Sequence, residues 1–465
     1  MGGFGTGINA LDLSGSSFGM GEGLNVQSIV QSLTEAAQAN ETQYTDEQTL
    51  YNSQISALTN ISSLLTSLQT ATQALQDPAG ALAARDATSS NSNVVTATAS
   101  SGISTGNYSI TVNNLASTAV VASQPQTSAT STIGAGNIQY TIGGNNYSIS
   151  VSSADTLNSL VTEINNGNYG VTASVIDDSQ GSILALTSNT GGSAGAITNL
   201  TDSSGLGLST AVQGNDASLS INGVPLFESS NTVTGAVPGV TFTLGGTSAA
   251  PVTVAVTQDV NQASTAINNF VSAYNAVVQA INTQFTYTSG ASSQPPLFSD
   301  SSLQQVQATL ATDINYFTSG NDGISGLASI GVELQQDGTL SVNSSQLDTA
   351  LSNSPSAVAN LFQGPDYVTG LAGQLYNDLG DITDPTQGVI ALDENGINQE
   401  LQDVTQTIND FNANLAQEQQ QWTTEYSQVN ATLQELPLLI AEATGQSSTL
   451  SSSSSSSSGS TTSTS

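Results

Sequence analysis

Carboxylates are the main side chains of this sequence that could carry acid–base or metal chemistry. The chain has 35 Asp and Glu, no His, no Cys and one basic residue, Arg85. Without His, Cys or Lys, we exclude an imidazole base, a thiolate nucleophile, ordinary zinc and haem sites, Schiff bases and lysine-containing phosphate loops. Carboxylate chemistry, a site for a hard cation, or no chemistry at all remains.

Three acidic dipeptides are the candidates for such chemistry: Asp177-Asp178, Asp337-Gly338 and Asp393-Glu394. Adjacent residues on a strand point to opposite faces, and Asp-Gly is a common turn pair. We therefore interpret all three as turns, and Arg85-Asp86 as a surface or loop pair. The sequence predicts no catalytic residue, no bound metal and no cofactor.

The charge balance restricts the partners of the protein. The formal net charge is −34, and only 8% of the residues are charged. Binding to nucleic acid or to anionic lipid needs several cations, so we expect neither. Protonation would relieve the self-repulsion of such a chain, which suggests the hypothesis that it works outside the cell in acid. Native structure at about pH 3 would support that hypothesis, and cooperative unfolding above about pH 4 would contradict it.

No targeting or membrane segment is predicted. Residues 1–22 are rich in Gly and Ser and lack the basic and apolar regions of a signal peptide. No apolar run approaches the ~18 residues of a membrane helix, so we expect no membrane insertion. The absence of Cys fits a chain that passes unfolded through a secretion channel.

A heptad pattern of apolar residues predicts a long helix near each end of the chain, and the acidic residues lie on and between these helices. The first helix is predicted over 23–77 and the last over 395–445. Polar residues such as Glu47, Gln54 and Glu418 interrupt the heptad rows, which predicts a loosely held stalk. We predict that the two helices pair as a coiled-coil stalk through Val26, Val30, Leu33, Tyr44, Tyr51, Leu58, Ile61, Leu65, Leu68, Ile397, Leu401, Val404, Ile408, Phe411, Leu415, Trp422, Val429, Leu433 and Leu436.

Between these helices the pattern predicts an α+β multidomain chain. Residues 78–118 and 258–394 are expected to form a middle helical and β domain, with a helix over Val260–Phe285. Alternating segments at 119–257 predict an inserted β-rich head, composed of two subdomains, with a short helix at 156–165. The Ser/Thr-rich residues 446–465 are expected to be a disordered tail.

Several stretches, in order, resemble the flagellar filament cap family (flagellar hook-associated protein 2). The resemblance rests on Gly23 to Leu33, Gly106 to Ala116, Ser220-Ile221-Asn222-Gly223, Ser230 to Val233, Pro238 to Thr241, Phe270 to Asn275, Leu327 to Val332 and Asp337-Gly338-Thr339-Leu340. Residues 156–188 resemble the flagellin hook "IN" motif, with Ile164-Asn165 as its namesake. The matching order covers residues 23–445, whereas the Gly-rich lead, the Ser-rich tail and the scarcity of Lys and Arg depart from the family pattern.

The resemblance implies a structural and assembly protein, not an enzyme. Cap proteins of this family form a homo-oligomeric ring at the distal tip of the filament, hold their heads as a plate and promote flagellin folding and polymerisation beneath it. The implied partners are other copies of the chain, flagellin, the junction proteins at the hook tip and the flagellar type III export apparatus. Some members also bind host mucus, so surface glycans are a further implied ligand. The implied location is extracellular, at the filament tip, after export without a cleaved signal peptide.

Three alternative functions remain open from the sequence. Another flagellar axial protein, such as a hook–filament junction protein or flagellin, would lie at the junction or along the filament. A secreted adhesin with a polar β head would bind glycan or mucin without affecting motility. A secreted carbohydrate-active enzyme would need two carboxylates across a cleft, which a sequence cannot show.

Overall fold

The computed structural model describes residues 25–287, 289 and 294–452, with side-chain exposure up to residue 443. The predicted lead at 1–22 lies outside the described residues, as do residues 453–465 of the predicted tail. Residues 446–452 of that tail belong to the last helix. None of the described helices is both long enough and apolar enough to cross a membrane.

Helices form both ends of the described chain, and strands dominate its middle. The helices are α1 (Val26–Gln38), α2 (Glu41–Gln76), α3 (Leu157–Asn166), α4 (Val260–Phe285), α5 (Ser301–Ile314), α6 (Ser344–Asn353), α7 (Pro355–Gln363), α8 (Leu371–Thr383) and α9 (Val389–Ser452). The predicted mixed α+β fold, with helical ends and a β-rich middle, is therefore confirmed.

The strands between α2 and α4 form antiparallel pairs, and one further hairpin follows α5. They are β1 (Arg85–Ser89), β2 (Val95–Ala99), β3 (Gly106–Asn114), β4 (Val120–Ala122), β5 (Gly136–Ile142), β6 (Asn145–Val151), β7 (Val171–Asp178), β8 (Gly181–Ser188), β9 (Thr198–Asp202), β10 (Ser209–Val212), β11 (Ala217–Ile221), β12 (Val224–Glu228), β13 (Thr232–Val237), β14 (Val240–Leu244), β15 (Val252–Gln258), β16 (Val332–Leu334) and β17 (Leu340–Val342).

The first predicted helix is interrupted, whereas the heptad pattern predicts one helix through residue 77. The structure ends α1 at Gln38 and begins α2 at Glu41. The amide of Asn40 donates to the carbonyl of Ala37, a tighter closure than the α-helical bond. The heptad positions at the break are Ala37, which is small, and Asn40, which is polar. Neither side chain adds much apolar packing against a partner helix, so interrupting the helix here costs little packing energy.

The chain divides into two compact units. Unit 1 comprises 1–62, 283–302 and 384–465, and unit 2 comprises 63–282 and 303–383. Unit 2 contains all the described strands, and unit 1 contains α1, most of α2 and α9. Each unit is described by itself below.

Two separate apolar cores hold the strands of unit 2. Sheet β1-β15-β3-β11-β12 and sheet β13-β14-β2 share the first core, with Phe242 at its centre and Tyr108 against it edge-on, 6.1 Å between ring centroids. Sheets β10-β4-β8-β7 and β6-β5-β9 share the second core with Leu157, Leu160 and Ile164 of α3. The alternation of apolar residues along each strand produces these one-sided sheets.

A third packed region of unit 2 is helical and centres on α4. Phe270 and Tyr274 of α4 are buried, and the Phe270 ring meets the ring of Phe362 edge-on, with centroids 6.3 Å apart. The three- and four-residue spacing of the apolar residues of α4 predicts this buried face. The small hairpin β16–β17 also belongs to unit 2.

Candidate functional site

The predicted stalk seam is buried only along part of its length. Val30, Leu58, Ile61, Leu65, Leu68, Ile397 and Leu415 are buried. Val26, Leu33, Tyr44, Tyr51, Leu401, Val404, Ile408, Phe411 and Trp422 are half-buried. Val429, Leu433 and Leu436 are exposed. Along α9, the predicted seam residues are buried or half-buried as far as Trp422 and exposed from Val429 onward.

Polar contacts join α2 to α9 within unit 1. Gln48 Nε2 donates to Thr405 Oγ1 at 3.0 Å, and Asn412 Nδ2 donates to Glu41 Oε1 at 2.7 Å. Such interhelical hydrogen bonds set the register of a helix pair and stabilise it less than buried apolar layers do. The seam thus consists of apolar layers separated by polar ones.

A further polar layer contains Tyr51 between two carboxylates. The Tyr51 hydroxyl donates to Glu47 Oε1 at 3.3 Å. Burial, followed by the negative charges of Glu400 and Glu47, raises the pKa of Tyr51. One layer below, Gln54 Nε2 donates to the carbonyl of Pro296 at 3.0 Å, while its buried Oε1 has no partner among the described residues. These layers hold the helices in register without a compensating cation.

An open groove runs between α1 and α9. Its lining is mainly uncharged and polar, with Val26 and Val30 as its apolar residues and Gln420 and Thr424 on the α9 side. Beyond it, the exposed apolar side chains Val429, Leu433, Leu436, Leu438, Leu439 and Ile440 follow one another. Pro437 lies inside this part of α9 and cannot donate the helical hydrogen bond to residue 433. This end of α9 therefore presents a run of exposed apolar side chains.

Two carboxyl pairs lie away from the surface turns. In unit 1, burial and then the neighbouring Asp300 raise the pKa of Asp393 to about 6. In unit 2, burial and then Asp378 raise the pKa of Asp313 to about 7. Asp313 is only 2% exposed. Within the part of the chain that the structure describes, no cluster of three or more carboxylates could hold a metal ion.

Other acids are acceptors for the turns that contain them. Asp178 Oδ1 accepts from the amides of Gln180 and Gly181 at the β7–β8 hairpin. Asp366 accepts from the hydroxyl and amide of Thr369, and these hydrogen bonds lower the pKa of Asp366 to about 2. The turn interpretation of Asp177-Asp178 agrees with this geometry only for Asp178, because Asp177 lies within β7 and pairs with Ser182. The same interpretation of Asp393-Glu394 was wrong, because both residues lie in α9.

Arg85 also differs from its predicted environment. It lies in β1, where its guanidinium donates to the carbonyls of Ile103 and Ala84 at 2.8 and 3.1 Å. It also donates to the carbonyl of Ala83 and to the side-chain oxygen of Gln258. Successive strand residues point to opposite faces, which separates Arg85 from Asp86. The interpretation of Arg85-Asp86 as a surface or loop pair is therefore wrong, because both residues lie in β1 and Arg85 is half-buried.

Three Asn side chains of the resembling stretches clamp a distant backbone residue. Asn165 donates to the carbonyl of Ala173 at 2.9 Å and accepts from its amide at 2.7 Å. Asn231 makes the same two hydrogen bonds with Ala116, and Asn275 makes them with Leu340. A carboxamide reproduces the donor and acceptor of a peptide group, so each Asn replaces a strand partner. The sequence by itself does not reveal this role.

The remaining motif residues form two turns and one core contact. Asn222 and Gly223, with φ of 50° and 80°, are the two-residue turn of the β11–β12 hairpin. Asn222 Oδ1 also accepts from the amide of Ser109. Asp337 Oδ1 accepts from the amide and hydroxyl of Thr339, and Gly338 has a φ of 83° between β16 and β17. Ile164 of α3 is buried in the second core. These motif residues therefore shape the fold and do not converge on one site.

Comparison with protein families gives matches along the chain in N-to-C order. The family model for the flagellar hook-associated protein 2 N-terminus matches residues 22–119, and the model for its C-terminus matches residues 214–437. Between them, the model for the flagellin hook IN motif matches residues 132–190. The N-terminal model therefore covers the predicted seam residues of the first helix, and the C-terminal model covers those of the last helix.

Known proteins show the same likeness over most of the chain. Flagellar hook-associated protein 2 of Escherichia coli is 29% identical over 90% of this chain and 95% of its own length. The B-type flagellar hook-associated protein 2 of Pseudomonas aeruginosa is 27% identical over 82% of this chain and 86% of its own. The crystal structure of the D1-D2-D3 domains of the E. coli flagellar cap protein superposes with a TM-score of 0.59 at 28% identity, covering 74% of this chain and 99% of that one.

Proposed function

The chain belongs to the flagellar hook-associated protein 2 family, and from this premise we propose that it forms the cap at the distal end of the bacterial flagellar filament. The observation that carries the proposal is the ordered match of the N-terminal and C-terminal family models to residues 22–119 and 214–437. In this role the protein is a structural and assembly protein and not an enzyme. Its work is steric and conformational: it shelters flagellin subunits while they fold and polymerise.

We propose that copies of the chain form a homo-oligomeric ring through the exposed apolar end of α9, which includes the predicted seam residues Val429, Leu433 and Leu436. The net charge of −34 makes copies repel one another at neutral pH. Contact energy must therefore come from apolar burial and hydrogen bonds, of the kinds present at Val30, Leu415 and Gln48–Thr405. Ring assembly is expected to strengthen with added salt or with lower pH, and rings that dissociate on addition of salt at about pH 7 would contradict this.

The finer domain division is part of the same proposal. We assign residues 23–77 and 395–445 to the stalk, 78–118 and 258–394 to the middle domain, and 119–257 to the head. One β core, of residues between 119 and 206, lies wholly within the assigned head and supports a separate subdomain there. The other β core combines residues 94–112 of the assigned middle domain with residues 217–256 of the assigned head. The partners in this scheme are flagellin, the junction proteins at the hook tip and the flagellar type III export apparatus, and the site of action is the extracellular filament tip.

The experiment is deletion of the gene, followed by electron microscopy of the cells and an assay of flagellin in the medium. Bare hooks with free flagellin monomers are the expected result. Complementation with the full chain should restore filaments. Normal filaments on cells that no longer attach to surfaces would contradict the cap function and favour an adhesin. Loss of filaments, with the protein located at the hook–filament junction, would indicate another axial protein.

A further inference from the structure

Asp313 is a buried carboxyl group without a compensating cation. It is 2% exposed, and its Oδ2 has no hydrogen-bond partner among the described residues. An ionised carboxylate in such a place is strongly disfavoured unless a cation pairs with it. The chain has one basic side chain, Arg85, whose guanidinium donates to Ile103, Ala83, Ala84 and Gln258. No side chain of this protein is therefore available to neutralise Asp313.

The titratable groups that face Asp313 come from two other helices. Asp378 of α8 lies within hydrogen-bond reach of it, and Tyr274 of α4 is close enough that the charge of Asp313 contributes to raising the pKa of the phenol. Burial is the larger cause at Tyr274, whose pKa rises to about 12. If Asp313 and Asp378 were both ionised, neither carboxylate could donate a hydrogen bond to the other. The Oδ2 atom of Asp313 would then remain without a hydrogen bond. With one added proton, an O–H of one carboxyl can donate to the other.

We propose that Asp313 and Asp378 form a proton latch, which holds α5 against α8 while the two carboxyls share a proton and weakens when that proton leaves. The step is an acid dissociation: the O–H bond breaks, the proton goes to water, and both electrons stay on the carboxylate. The latch joins two helices of the same compact unit. It is a property of this chain's fold and does not depend on the proposed cap function.

The sign of the effect follows from the direction of the pKa change. Burial and Asp378 raise the pKa of Asp313 from 3.8 in an exposed chain to about 7 in the folded protein. The folded state therefore holds a proton that the unfolded chain releases. The stabilisation is complete below about pH 4, decreases as pH rises, and is lost above about pH 7.

Unit 1 contains a second pair of the same kind. Asp393 faces Asp300 from the segment before α5, and Glu400 of its own helix adds a further negative charge. A hydrogen bond from Ser302 acts in the opposite direction. The buried Oδ2 of Asp393 also has no partner among the described residues. Both compact units therefore carry a carboxyl pair that favours acid conditions, and this agrees with the scarcity of bases in the sequence.

The test measures urea unfolding of the full chain from about pH 4 to about pH 8, for the wild type and for D313N, D378N and D381N. Asp381 is an exposed residue of the same helix as Asp378, so D381N removes one negative charge without touching the pair. The wild type and D381N are expected to lose stability together as pH rises. D313N should flatten this dependence and unfold at a higher urea concentration than the wild type at about pH 8. A D313N variant that keeps the wild-type pH dependence would overturn the latch.

Two further readouts keep the proposal testable if D313N does not fold. In the wild-type protein, the carboxyl carbon NMR signal of Asp313 should titrate well above pH 4. Amide exchange in α5 and α8 should become faster over the same pH range, as Asp313 loses its proton. Titration near pH 4 would reject the proposal. The proposal would also be rejected if Ca²⁺ added at about pH 8 raised the stability of the wild type to its value at about pH 4. The carboxyl pair would then be a cation site.

Discussion

Arg85 and Gln258 face each other across the β1–β15 ladder and are also joined through their side chains. They are register partners, and Arg85 Nη1 donates to Gln258 Oε1. Gln258 Nε2 in turn donates to the carbonyl of Leu82 at 2.8 Å. The single basic side chain of the protein therefore satisfies carbonyl groups around the start of β1. Burial lowers the pKa of Arg85.

Replacement of Arg85 tests this role. Arg85→Met is expected to lower the free energy of unfolding by about 2–4 kcal/mol, because several half-buried acceptors lose a charged donor. The acceptors are neutral, so the loss should be the same between about 0.05 and 0.5 M NaCl. Urea unfolding at both salt concentrations gives the answer. Arg85→Lys keeps the charge but loses the guanidinium geometry and should recover only part of the loss. A loss that disappears in high salt would indicate an ion pair instead.

The Asn275–Leu340 clamp predicts a large effect from a small substitution. Asn275→Ala removes two hydrogen bonds from the backbone of Leu340, which is 4% exposed, and should lower the free energy of unfolding by about 2–3 kcal/mol. Asn268→Ala is the matched control, because this exposed Asn of α4 donates only to Ser264 of its own helix. The control should change the stability by less than about 1 kcal/mol. Equal losses in the two variants would show that the clamp adds nothing beyond helix effects.

The hairpin turn at Gly223 makes a prediction about backbone conformation. A Cβ at Gly223 would meet no other atom, but the φ of 80° is unfavourable for an L-residue. Gly223→Ala is therefore expected to cost about 1–2 kcal/mol. Gly106→Ala in β3 is the control, since its Cβ would also meet open space and its backbone has no positive φ. That variant should be neutral or slightly stabilising. Thermal unfolding of both variants separates strain from crowding.

The carboxyl pair of unit 1 predicts a local pH dependence. Burial and Asp300 raise the pKa of Asp393 to about 6, so its contribution is present in acid and is lost as pH rises through about 6. Asp393→Asn should slow amide exchange in the first turns of α9 at about pH 8, with little effect at about pH 4. Asp403→Asn, at an exposed position of the same helix, controls for the removal of a charge. Identical exchange profiles in the two variants would contradict the pairing.

Substitutions at the exposed apolar end of α9 can distinguish an effect on assembly from an effect on folding. Leu433 and Leu436 are 43% and 46% exposed, so replacing both by Ser should change the free energy of unfolding by less than about 1 kcal/mol. Ring formation, followed by light scattering, is expected to be lost. Replacement of the buried Leu58 by Ser is the opposite case and should destabilise the fold itself. Normal rings from the Leu433/Leu436 variant would remove this surface from the proposed assembly interface.

Local patterns were sufficient for the elements whose packing repeats along the chain. The apolar spacing predicts α4 with the observed bounds, Val260–Phe285, and alternation predicts β14 with the bounds Val240–Leu244. These elements bury one continuous face, and such a face has a period that can be read in sequence. The mixed fold and the family resemblance follow from the same kind of local information.

The tertiary structure decided the features that depend on residues far apart in the chain. The interruption between α1 and α2, the strand position of Arg85 and the helical position of Asp393-Glu394 all differ from the sequence-based expectation. Asp313 and Asp378 look like ordinary surface acids in the sequence, and Asn231 and Asn275 look like ordinary loop and helix residues. Their roles arise when folding brings a distant carboxyl or peptide group within hydrogen-bond reach at a buried or half-buried position. Periodicity carries no record of such an encounter, because it reports which face of an element is buried and not what that face meets.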